Sequence, residues 1–281
     1  MCGIAGIMQR ELNRPIDPAV LVGMAAIQYH RGPDGFGYHV LDDRGVGFAH
    51  ARLAIIDLDP NRGRQPFVSD NGAVMIAHNG EFYDYKRIRA DLTSRGDQFH
   101  TKSDTELLLH LSDRLGLEAA LPHLRGEFGF AVYEKRSDRL TLVRDRFGIK
   151  PLFWTMTPDG VVFGSEIKVL FAHPAVKREI SSTGLYHQLM QLMVPGTTAF
   201  EGVHAVQPGQ RVEFTRRDGQ ITVHTETYWD LDFPVLGDRP PRQPDEVYIE
   251  QLREHFIEAI QLRLEADVPV ACYLSGGIDS C

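Results

Sequence analysis

Short apolar runs, and apolar residues that alternate with polar ones, recur along the first part of the chain, and both patterns are typical of β-strands. A Thr-Pro-Asp-Gly turn at 157–160 is expected to join two of these strands into a hairpin. The predicted strands span residues 3–8, 36–41, 46–50, 73–78, 127–134, 140–144, 152–155 and 161–163.

Apolar positions at helical spacing lie between these groups of strands. Asp17 and Pro18 supply an N-cap and a first-turn proline for a helix that ends before the Gly/Pro loop at 30–35. Ser103 and Glu106 fit a capping box at the start of another helix. Further predicted helices span 85–94, 107–115, 166–171 and 181–190. Helices between groups of strands indicate an α+β layered domain rather than a strictly alternating parallel sheet.

The pattern changes after the last of these helices. Residues 195–214, and the chain on through Tyr228 and Trp229, form a Pro/Gly-rich connector that still contains strand-like segments. The charged segment 234–244 is predicted to be a linker. Its prolines are Pro234, Pro240, Pro241 and Pro244.

A second unit is predicted beyond this linker. A long helix at 245–266 and a buried-type strand at 268–274 lead into a Gly loop at 275–280, which is typical of the opening of an α/β nucleotide-binding domain. One helix and one strand cannot bury a sheet, so we expect this unit to be incomplete. The predicted division is therefore a domain at 2–214, a connector at 215–244 and the start of a second domain at 245–281. The apolar stripe of the helix comprises Tyr248, Leu252, Phe256, Ile260 and Leu264.

The length, charge and cysteine content of the chain exclude several classes of protein. The 281 residues are enough for two domains. A net charge of −8 argues against a general nucleic-acid or membrane-surface binder. No apolar run approaches the roughly 20 residues that cross a bilayer, and no basic region of a signal peptide is found at the amino terminus. Cys2, Cys272 and Cys281 have neither metal-type nor disulfide-type spacing, so we expect a reduced, cytoplasmic protein.

Cys2 is the first candidate for catalysis, because its small side chain permits removal of Met1. Its thiol and the freed α-amino group would then lie on one carbon skeleton, as a nucleophile beside its base. An α-amine titrates near about 7.7–8.0, so an appreciable part of it is unprotonated around neutrality. It can take the thiol proton and return it to a leaving group. A cysteine at this position is a weak signal by itself, and its importance depends on the residues around it.

Attack of Cys2 on an amide would need hydrogen-bond donors for the developing oxyanion. Asn79 and Gly80, at the end of a predicted strand, can supply a side-chain amide and an unhindered backbone N–H. The alternative is that Asn-Gly is simply a turn.

The charged end of a substrate would need partners as well. Arg52 is a lone cation in an apolar segment and suits bidentate binding of an α-carboxylate, although an ordinary salt bridge to Asp57 is the alternative. Asp104 could face an ammonium group or only favour the dipole of its helix. The remaining candidates have no metal or triad spacing and are assigned structural roles: His30, His50, His78 and His100.

The Gly loop at 275–280 is a candidate phosphate site. Its glycines expose backbone N–H groups, its serines add hydroxyl donors, and the loop would lead into a helix N-terminus. It differs from a Walker loop because the Gly-Lys-Ser/Thr ending is absent. A plain glycine turn is the alternative.

Together these segments resemble the glutamine-dependent asparagine synthetase family over essentially the whole chain. Each motif is modest alone, but in this order they are highly specific. The motifs are MCGIAGI at 1–7, HRGPD at 30–34, RLAIID at 52–57, NGE at 79–81, SDTE at 103–106, RDRFGIKPL at 144–152, SEIK at 165–168 and SGGIDS at 275–280.

The resemblance implies an N-terminal-nucleophile glutaminase domain, a four-layer α/β/β/α sandwich, followed by the truncated start of an α/β ATP-pyrophosphatase-type domain. It implies that Cys2 attacks the glutamine amide and that Asn79 and Gly80 form the oxyanion hole. Arg52 would hold the glutamine α-carboxylate. The other implied glutamine-binding residues are Glu81 and Asp104 at the α-amine and the backbone of Leu53, Ala54, Ile55 and Ile56.

The resemblance also implies a second reaction, in which the ammonia passes to a β-aspartyl-adenylate made from L-aspartate and Mg-ATP. The family's synthetase domain continues well beyond the Gly loop, so we expect this chain to carry only the glutaminase half of an asparagine synthetase. Its expected partners are the small molecules L-glutamine, L-aspartate and ATP, with no nucleic acid or membrane, and a homodimer stays open. The implied ATP-binding residues are Leu274, Ser275, Gly276, Gly277, Asp279 and Ser280.

Two alternatives remain at this point. The nearest is a related amidotransferase that passes ammonia to another adenylated carboxylate, because the acceptor pocket is not contained in the sequence. The other is a non-catalytic interaction domain, against which the complete set of Cys2, Arg52, Asn79, Gly80 and Asp104 argues. The motifs at 30–34 and 144–151 receive no role from the sequence.

Overall fold

The computed structural model describes residues 1–192, 194–235, 237–238 and 241–280. Pro240 of the predicted linker and Cys281 therefore lie outside the described residues. The strands are β1 (Gly3–Gln9), β2 (Gly35–Leu41), β3 (Val46–Arg52), β4 (Phe67–Val68), β5 (Val74–Phe82), β6 (Gly126–Glu134), β7 (Arg139–Arg144), β8 (Phe153–Thr157), β9 (Gly160–Gly164), β10 (Val203–Ala205), β11 (Gln210–Arg217) and β12 (Gln220–Thr227).

Helices lie between the strand groups and at the end of the chain. The α-helices are α1 (Pro18–Ala26), α2 (Tyr85–Ser94), α3 (Thr105–Leu115), α4 (Leu117–Ala120), α5 (Ile167–Leu170), α6 (Ser182–Leu189) and α7 (Asp245–Arg263). Short 3-10 helices span Asp42–Arg44, Leu121–His123 and Ile278–Ser280.

The strands form two six-stranded sheets, with the orders β10-β8-β9-β1-β3-β2 and β12-β11-β7-β6-β5-β4. Neighbouring strands are antiparallel; Gly3 pairs with Ala51 in the first sheet and Asn79 with Gly129 in the second. The register of β1 on β3 brings Cys2, just before β1, beside Arg52 at the end of β3.

Three apolar clusters show how these elements stack. The first lies between the sheets and joins Ile4 and Phe48 to Met75 and Tyr133. The second packs β5 and β6 against α2, α3 and α4, and the third packs β1, β3 and β9 against α1 and α5. Successive side chains of a strand point to opposite faces, so each sheet buries one face on the other sheet and one on helices. The predicted α+β fold with four α/β/β/α layers is confirmed.

Most sequence-based elements are confirmed. The strands up to residue 163 and the hairpin at 157–160 form as predicted, and β8 pairs with β9 from Thr157 opposite Gly160. Asp17 caps α1, because its side chain accepts a 2.8 Å hydrogen bond from the Ala19 N–H. The short strand β4 was not predicted from the sequence, because two residues are too few to show a periodic pattern.

The predicted capping box at Ser103 and Glu106 forms only in part. The Ser103 Oγ accepts a 3.2 Å hydrogen bond from the Thr105 N–H, as an N-cap side chain does, although α3 begins at Thr105 and Asp104 directly precedes it. Glu106 accepts hydrogen bonds from the backbone N–H groups of His100 and Thr101, at 2.7 and 2.8 Å, instead of reaching the Ser103 N–H. Its carboxylate therefore ties the loop before the helix to the helix itself.

The predicted buried strand at 268–274 is wrong, since these residues form no strand and Leu274 is 72% exposed. A strand needs a partner for its backbone groups, and no strand lies beside it in the part of the chain that the structure describes. Helix α7 forms as predicted, but its apolar stripe is exposed, with Leu252 at 70%.

The second sheet extends beyond residue 214, the predicted end of the first domain. Strand β11 crosses that position, and β12 lies within the residues assigned to the connector. The division into domains stays a prediction. Among the helices that the structure describes, none has the combination of length and apolarity that membrane crossing needs.

Candidate active site

One cavity lies where the ends of β1 and β3 in the first sheet meet β5 of the second. It brings together nearly all residues predicted to bind or attack glutamine, although Ala54 is not part of its wall. The cavity is lined by Met1, Cys2, Arg52, Leu53, Ile55, Ile56, Gly63, Gln65, Asn79, Gly80, Glu81, Ser103, Asp104, Thr105 and Lys150.

Cys2 is held at this cavity by the turn after β3. The Leu53 N–H points at the Cys2 Sγ at 3.4 Å, and the thiol lies 3.5 Å from the Leu53 carbonyl. Burial raises the pKa of the Cys2 thiol, so attack on an amide needs a nearby base. Burial also lowers the pKa of the Met1 α-amine, while the Met1 side chain is 54% exposed at the mouth of the site.

Asn79 lies on β5 with its side chain fully buried in the cavity wall. Neither its amide nitrogen nor its amide oxygen has a hydrogen-bond partner among the residues that the structure describes. Unpaired buried polar groups are rare because each loses its hydrogen bonds to water without replacement. The Asn79 amide is therefore a donor in place before any ligand arrives.

Gly80 is required by its close contact with β6. Its φ of +154° lies where side-chain-bearing residues are rare, and a Cβ here would collide with the Glu127 carbonyl oxygen and the Phe128 Cα. Asn79 and Gly80 belong to the strand and not to a turn, since both are paired with β6. The turn alternative for Asn-Gly is thus wrong.

Arg52 is directed at the loop that follows it rather than at a carboxylate of the protein. It donates to the carbonyl oxygens of Asp59 at 2.8 Å, Ile56 at 3.5 Å and Asp57. The predicted alternative of a salt bridge to Asp57 is wrong, because Arg52 contacts the Asp57 backbone carbonyl while the Asp57 carboxylate accepts a 2.7 Å hydrogen bond from the Lys102 N–H. The guanidinium is 7% exposed and has further N–H donors for a carboxylate in the cavity.

Two carboxyl groups lie on the same wall. Burial raises the pKa of Asp104 to about 6, although the Phe82 N–H donates to it at 2.8 Å. Burial also raises the pKa of Glu81, and the neighbouring Lys150 opposes that shift. A buried carboxylate with too few positive partners favours binding of a cation, so this pair suits an ammonium group.

Family comparison agrees with this arrangement. Residues 1–229 match the glutamine amidotransferase domain family, and residues 251–281 match the start of the asparagine synthase family. The chain belongs to the glutamine amidotransferase domain family.

Curated relatives of this amidotransferase domain are longer than the chain. It is 41% identical to amidase chry2 of Gibberella zeae over 251 residues, which are 89% of the chain and 36% of that protein. It is 36% identical to asparagine synthetase [glutamine-hydrolyzing] 2 of Bacillus subtilis over 290 residues, spanning 100% of the chain and 38% of that protein.

Among solved structures, the glutamine phosphoribosylpyrophosphate amidotransferase of B. subtilis matches with a TM-score of 0.58 and 22% identity. The match covers 81% of this chain and 49% of that one. At this identity the likeness establishes the fold alone.

The HRGPD motif, which the sequence left without a role, supports the nucleophile and the loop beside it. Arg31 donates to the Cys2 carbonyl at 2.9 Å and is itself held by Glu166 at 2.9 Å. Asp34 accepts a 2.8 Å hydrogen bond from the Ala54 N–H. Arg31 and Asp34 thus hold Cys2 and the 53–56 loop on either side of the cavity of the amidotransferase domain.

The RDRFGIKPL motif builds a second wall and contributes Lys150, which sequence reasoning missed as a site residue. Lys150 pairs with Glu127 at 2.9 Å, and the Tyr83 hydroxyl donates to the same carboxylate at 2.6 Å. Burial opposes ionisation of Glu127, but these two hydrogen bonds hold its pKa below the ordinary value. The motif itself was the available signal, although nothing in the sequence indicates that Lys150 pairs with Glu127.

The histidines assigned structural roles include two fully enclosed ones. Burial lowers the pKa of His50 to about 4 and that of His78 to about 3, so both rings are neutral at physiological pH. His78 lies 2.9 Å from the Thr105 hydroxyl, behind the cavity wall. His30 contacts Glu166 at 2.9 Å.

The candidate phosphate loop lies apart from the glutamine cavity. Gly276 has a left-handed φ of +73°, and the Gly277 N–H donates to the Ser275 Oγ at 3.3 Å. Exposed backbone N–H groups in a glycine-rich loop are of the kind that bind phosphate oxygens. Of the predicted residues, Leu274, Ser275, Gly276, Gly277 and Asp279 are exposed, and the surroundings of the Ser280 side chain are not described.

Proposed function

We propose that this chain is the glutaminase part of a glutamine-hydrolysing asparagine synthetase. The observation that carries the proposal is the buried Asn79 amide, which has no hydrogen-bond partner among the described residues and lies in one cavity with Cys2. A donor kept without a partner beside a thiol is suited to an oxyanion that exists only during acyl transfer.

In the proposed reaction, removal of Met1 frees the α-amine of Cys2, which accepts the thiol proton. The sulfur adds to the side-chain amide carbon of glutamine, and the oxyanion is held by the Asn79 amide and the Gly80 N–H. Collapse breaks the C–N bond, and the α-ammonium returns the proton so that ammonia leaves and a glutamyl thioester remains. Water, activated by the same amine, then hydrolyses the thioester to glutamate and regenerates the thiol.

Substrate binding follows from the charges of the cavity. Arg52 would bind the glutamine α-carboxylate, and Glu81 with Asp104 would bind its α-ammonium group. The backbone of Leu53, Ala54, Ile55 and Ile56 would line the glutamine chain. The contacts of Arg52 and the raised pKa of Asp104 support these roles.

The remaining steps belong to a longer protein, since the chain spans under two fifths of the two relatives named above. In such a protein, the ammonia would react with a β-aspartyl-adenylate formed from L-aspartate and ATP. Magnesium would accompany the nucleotide, and the 274–280 loop would hold its phosphates. A cytoplasmic location and a homodimer are part of the same proposal.

Glutamate release from glutamine by the purified chain tests the proposed function, with the N-terminal mass recorded in the same sample. Met1-free protein is expected to release glutamate, and Cys2→Ala is expected to abolish the release while leaving the circular dichroism spectrum unchanged. Cys272→Ala is the matched control, because Cys272 is an exposed free cysteine outside the cavity. Undiminished glutamate release by folded Cys2→Ala would rule out the proposed nucleophile.

A further inference from the structure

The segment that follows α7 returns to the glutamine cavity and contacts its loop. The Asp267 N–H donates to the Ile55 carbonyl at 2.9 Å. In the opposite direction, the Asp57 N–H donates to the Asp267 carboxylate at 2.9 Å. Asp267 therefore grips the 55–57 backbone at two points, although it lies within the part of the chain that matches the asparagine synthase family.

The backbone segment that Asp267 bonds is also contacted by Arg52. Arg52 donates to the Ile56 carbonyl at 3.5 Å, and the Asp57 N–H that bonds Asp267 belongs to the same peptide unit. A peptide unit is planar, so fixing the direction of its N–H also fixes the direction of its C=O. Asp267 thus sets the orientation of a carbonyl that positions the Arg52 guanidinium.

Asp57 links this contact to the opposite wall of the cavity. Its carboxylate accepts a 2.7 Å hydrogen bond from the Lys102 N–H, in the loop that leads to Asp104. Its backbone has a left-handed φ of +56°, and its carbonyl accepts from Arg52. The peptide groups on both sides of Asp57 are therefore engaged.

Three side-chain contacts hold the end of α7 and its continuation over the same region. Arg263 lies 3.6 Å from Glu127 and 5.1 Å from the centre of the Tyr83 ring. Glu265 pairs with Lys86 at 3.4 Å. These contacts hold the chain that leads to Asp267 against the same part of the domain as the loop.

We propose that Asp267 is a positioning residue that holds the 53–57 loop, and through it Arg52, in the glutamine-binding arrangement. The asparagine-synthase part of the chain would then take part in binding glutamine, in addition to any role with a nucleotide. Its kinetic consequence rests on the proposed glutaminase function, whereas its structural consequence can be measured without catalysis.

The structural test is hydrogen–deuterium exchange of the full chain and its Asp267→Ala variant. Loss of the acceptor for the Asp57 N–H is expected to speed exchange in peptides that cover 53–59. Asp267→Asn keeps an acceptor oxygen and is expected to retain protection. Equal protection of 53–59 in wild type and Asp267→Ala would overturn the proposal, whether or not the chain hydrolyses glutamine.

The kinetic test separates binding from chemistry. Asp267→Ala is expected to raise the KM for glutamine roughly 2- to 10-fold, as loss of one net hydrogen bond does, with kcat unchanged. Asp267→Asn should restore the wild-type KM. Glu258→Ala on α7 is the control. It removes a 3.5 Å surface pair between Glu258 and Arg125 and leaves the contacts of the 53–57 loop unchanged. A wild-type KM in Asp267→Ala, or an equal rise in Glu258→Ala, would contradict the positioning role.

Discussion

At the scale of single residues, the proposed oxyanion role of Asn79 has a cost in stability. It is fully buried, and its two polar atoms find no partner in the described structure. Such a group loses its hydration on folding without a compensating hydrogen bond. Strain or unmet hydrogen bonding of this kind is typical of functional sites.

We therefore expect Asn79→Ala to lower kcat for glutamate release by roughly 100- to 1,000-fold, as loss of one oxyanion donor does. The midpoint of thermal unfolding should be unchanged or higher, because a buried unpaired amide is removed. Thr141→Val on β7 is the matched control. Its hydroxyl is also buried without a partner among the described residues, but Thr141 lies outside the cavity. A similar kcat in Asn79→Ala and wild type would argue against an oxyanion role.

The raised pKa of Asp104 leads us to expect that kcat/KM for glutamine decreases on the acid side of its pH profile. Burial raises its pKa to about 6, so the carboxyl becomes neutral as the pH falls through that value and no longer attracts an ammonium group. The kcat/KM for glutamine should fall about tenfold per pH unit below about 6. Measurements of kcat/KM from pH 5 to 8 test this. In Asp104→Asn the decrease below about pH 6 should be smaller, because only Glu81 then changes charge beside the ammonium group. An unchanged decrease in Asp104→Asn would exclude Asp104 as its cause.

The same shift affects stability with a definite sign. A carboxyl whose folded-state pKa exceeds its unfolded value near 3.8 contributes stability that is lost as the pH rises through about 6. Asp104→Asn removes this loss and leaves an acceptor for the Phe82 N–H. The variant should thus unfold at a higher temperature than wild type at pH 7.5, while it binds glutamine less well.

At the scale of elements, the loop after β7 depends on one buried carboxylate. Asp145 is fully buried and accepts from the backbone N–H groups of Phe128, Phe147, Ile149 and Lys150, between 2.9 and 3.2 Å. Each oxygen takes two donors, which only a carboxylate can provide. This arrangement explains why an acidic residue lies at the second position of the RDRFGIKPL motif and how Lys150 reaches the cavity.

Asp145→Asn is expected to lower the free energy of unfolding by about 2–4 kcal/mol, because the new NH₂ group would face backbone donors. Chemical denaturation measures this change. Asp91→Asn, on an exposed pair with Arg95 at 3.0 Å, should change it by less than about 1 kcal/mol. A small effect in Asp145→Asn would mean that the loop is held by its other contacts, such as those of Arg144.

At the scale of the whole molecule, the cavity forms only where the two sheets meet. Its walls come from both sheets and from the loops that extend them, while the Gly loop lies elsewhere. Among the described residues, the proposed glutamine cavity is thus lined without a contribution from the 274–280 loop.

We expect this chain to release glutamate at the same rate with and without Mg-ATP and L-aspartate, and to form no asparagine. Coupled detection of glutamate and chromatography of the amino-acid products measure both quantities. A rate that rises severalfold with Mg-ATP would show that the 274–280 loop communicates with the cavity in this chain. Asparagine formation would contradict the expectation that the acceptor site lies in a longer protein.

The layers and the candidate nucleophile could be predicted from the amino-acid sequence. Alternation along β1, with Ile4 and Met8 on one face and Ala5 and Ile7 on the other, is a local property that burial on both faces then satisfies. The cap at Asp17 is equally local. Ordered motifs identified Cys2 and its expected partners, because catalysis limits which residue types such a site can contain.

Features that depend on contacts between residues far apart in the chain became visible only in the folded structure. Ser103 and Glu106 match a capping box in sequence, but the Glu106 carboxylate accepts from the N–H groups of residues 100 and 101 and not from that of Ser103. The apolar segment 268–274 reads as a strand, yet a strand exists only where another strand pairs with it. The roles of Lys150 and Asp267 are visible only after folding, because hydrogen bonds between residues far apart in the chain leave no periodic pattern in the sequence.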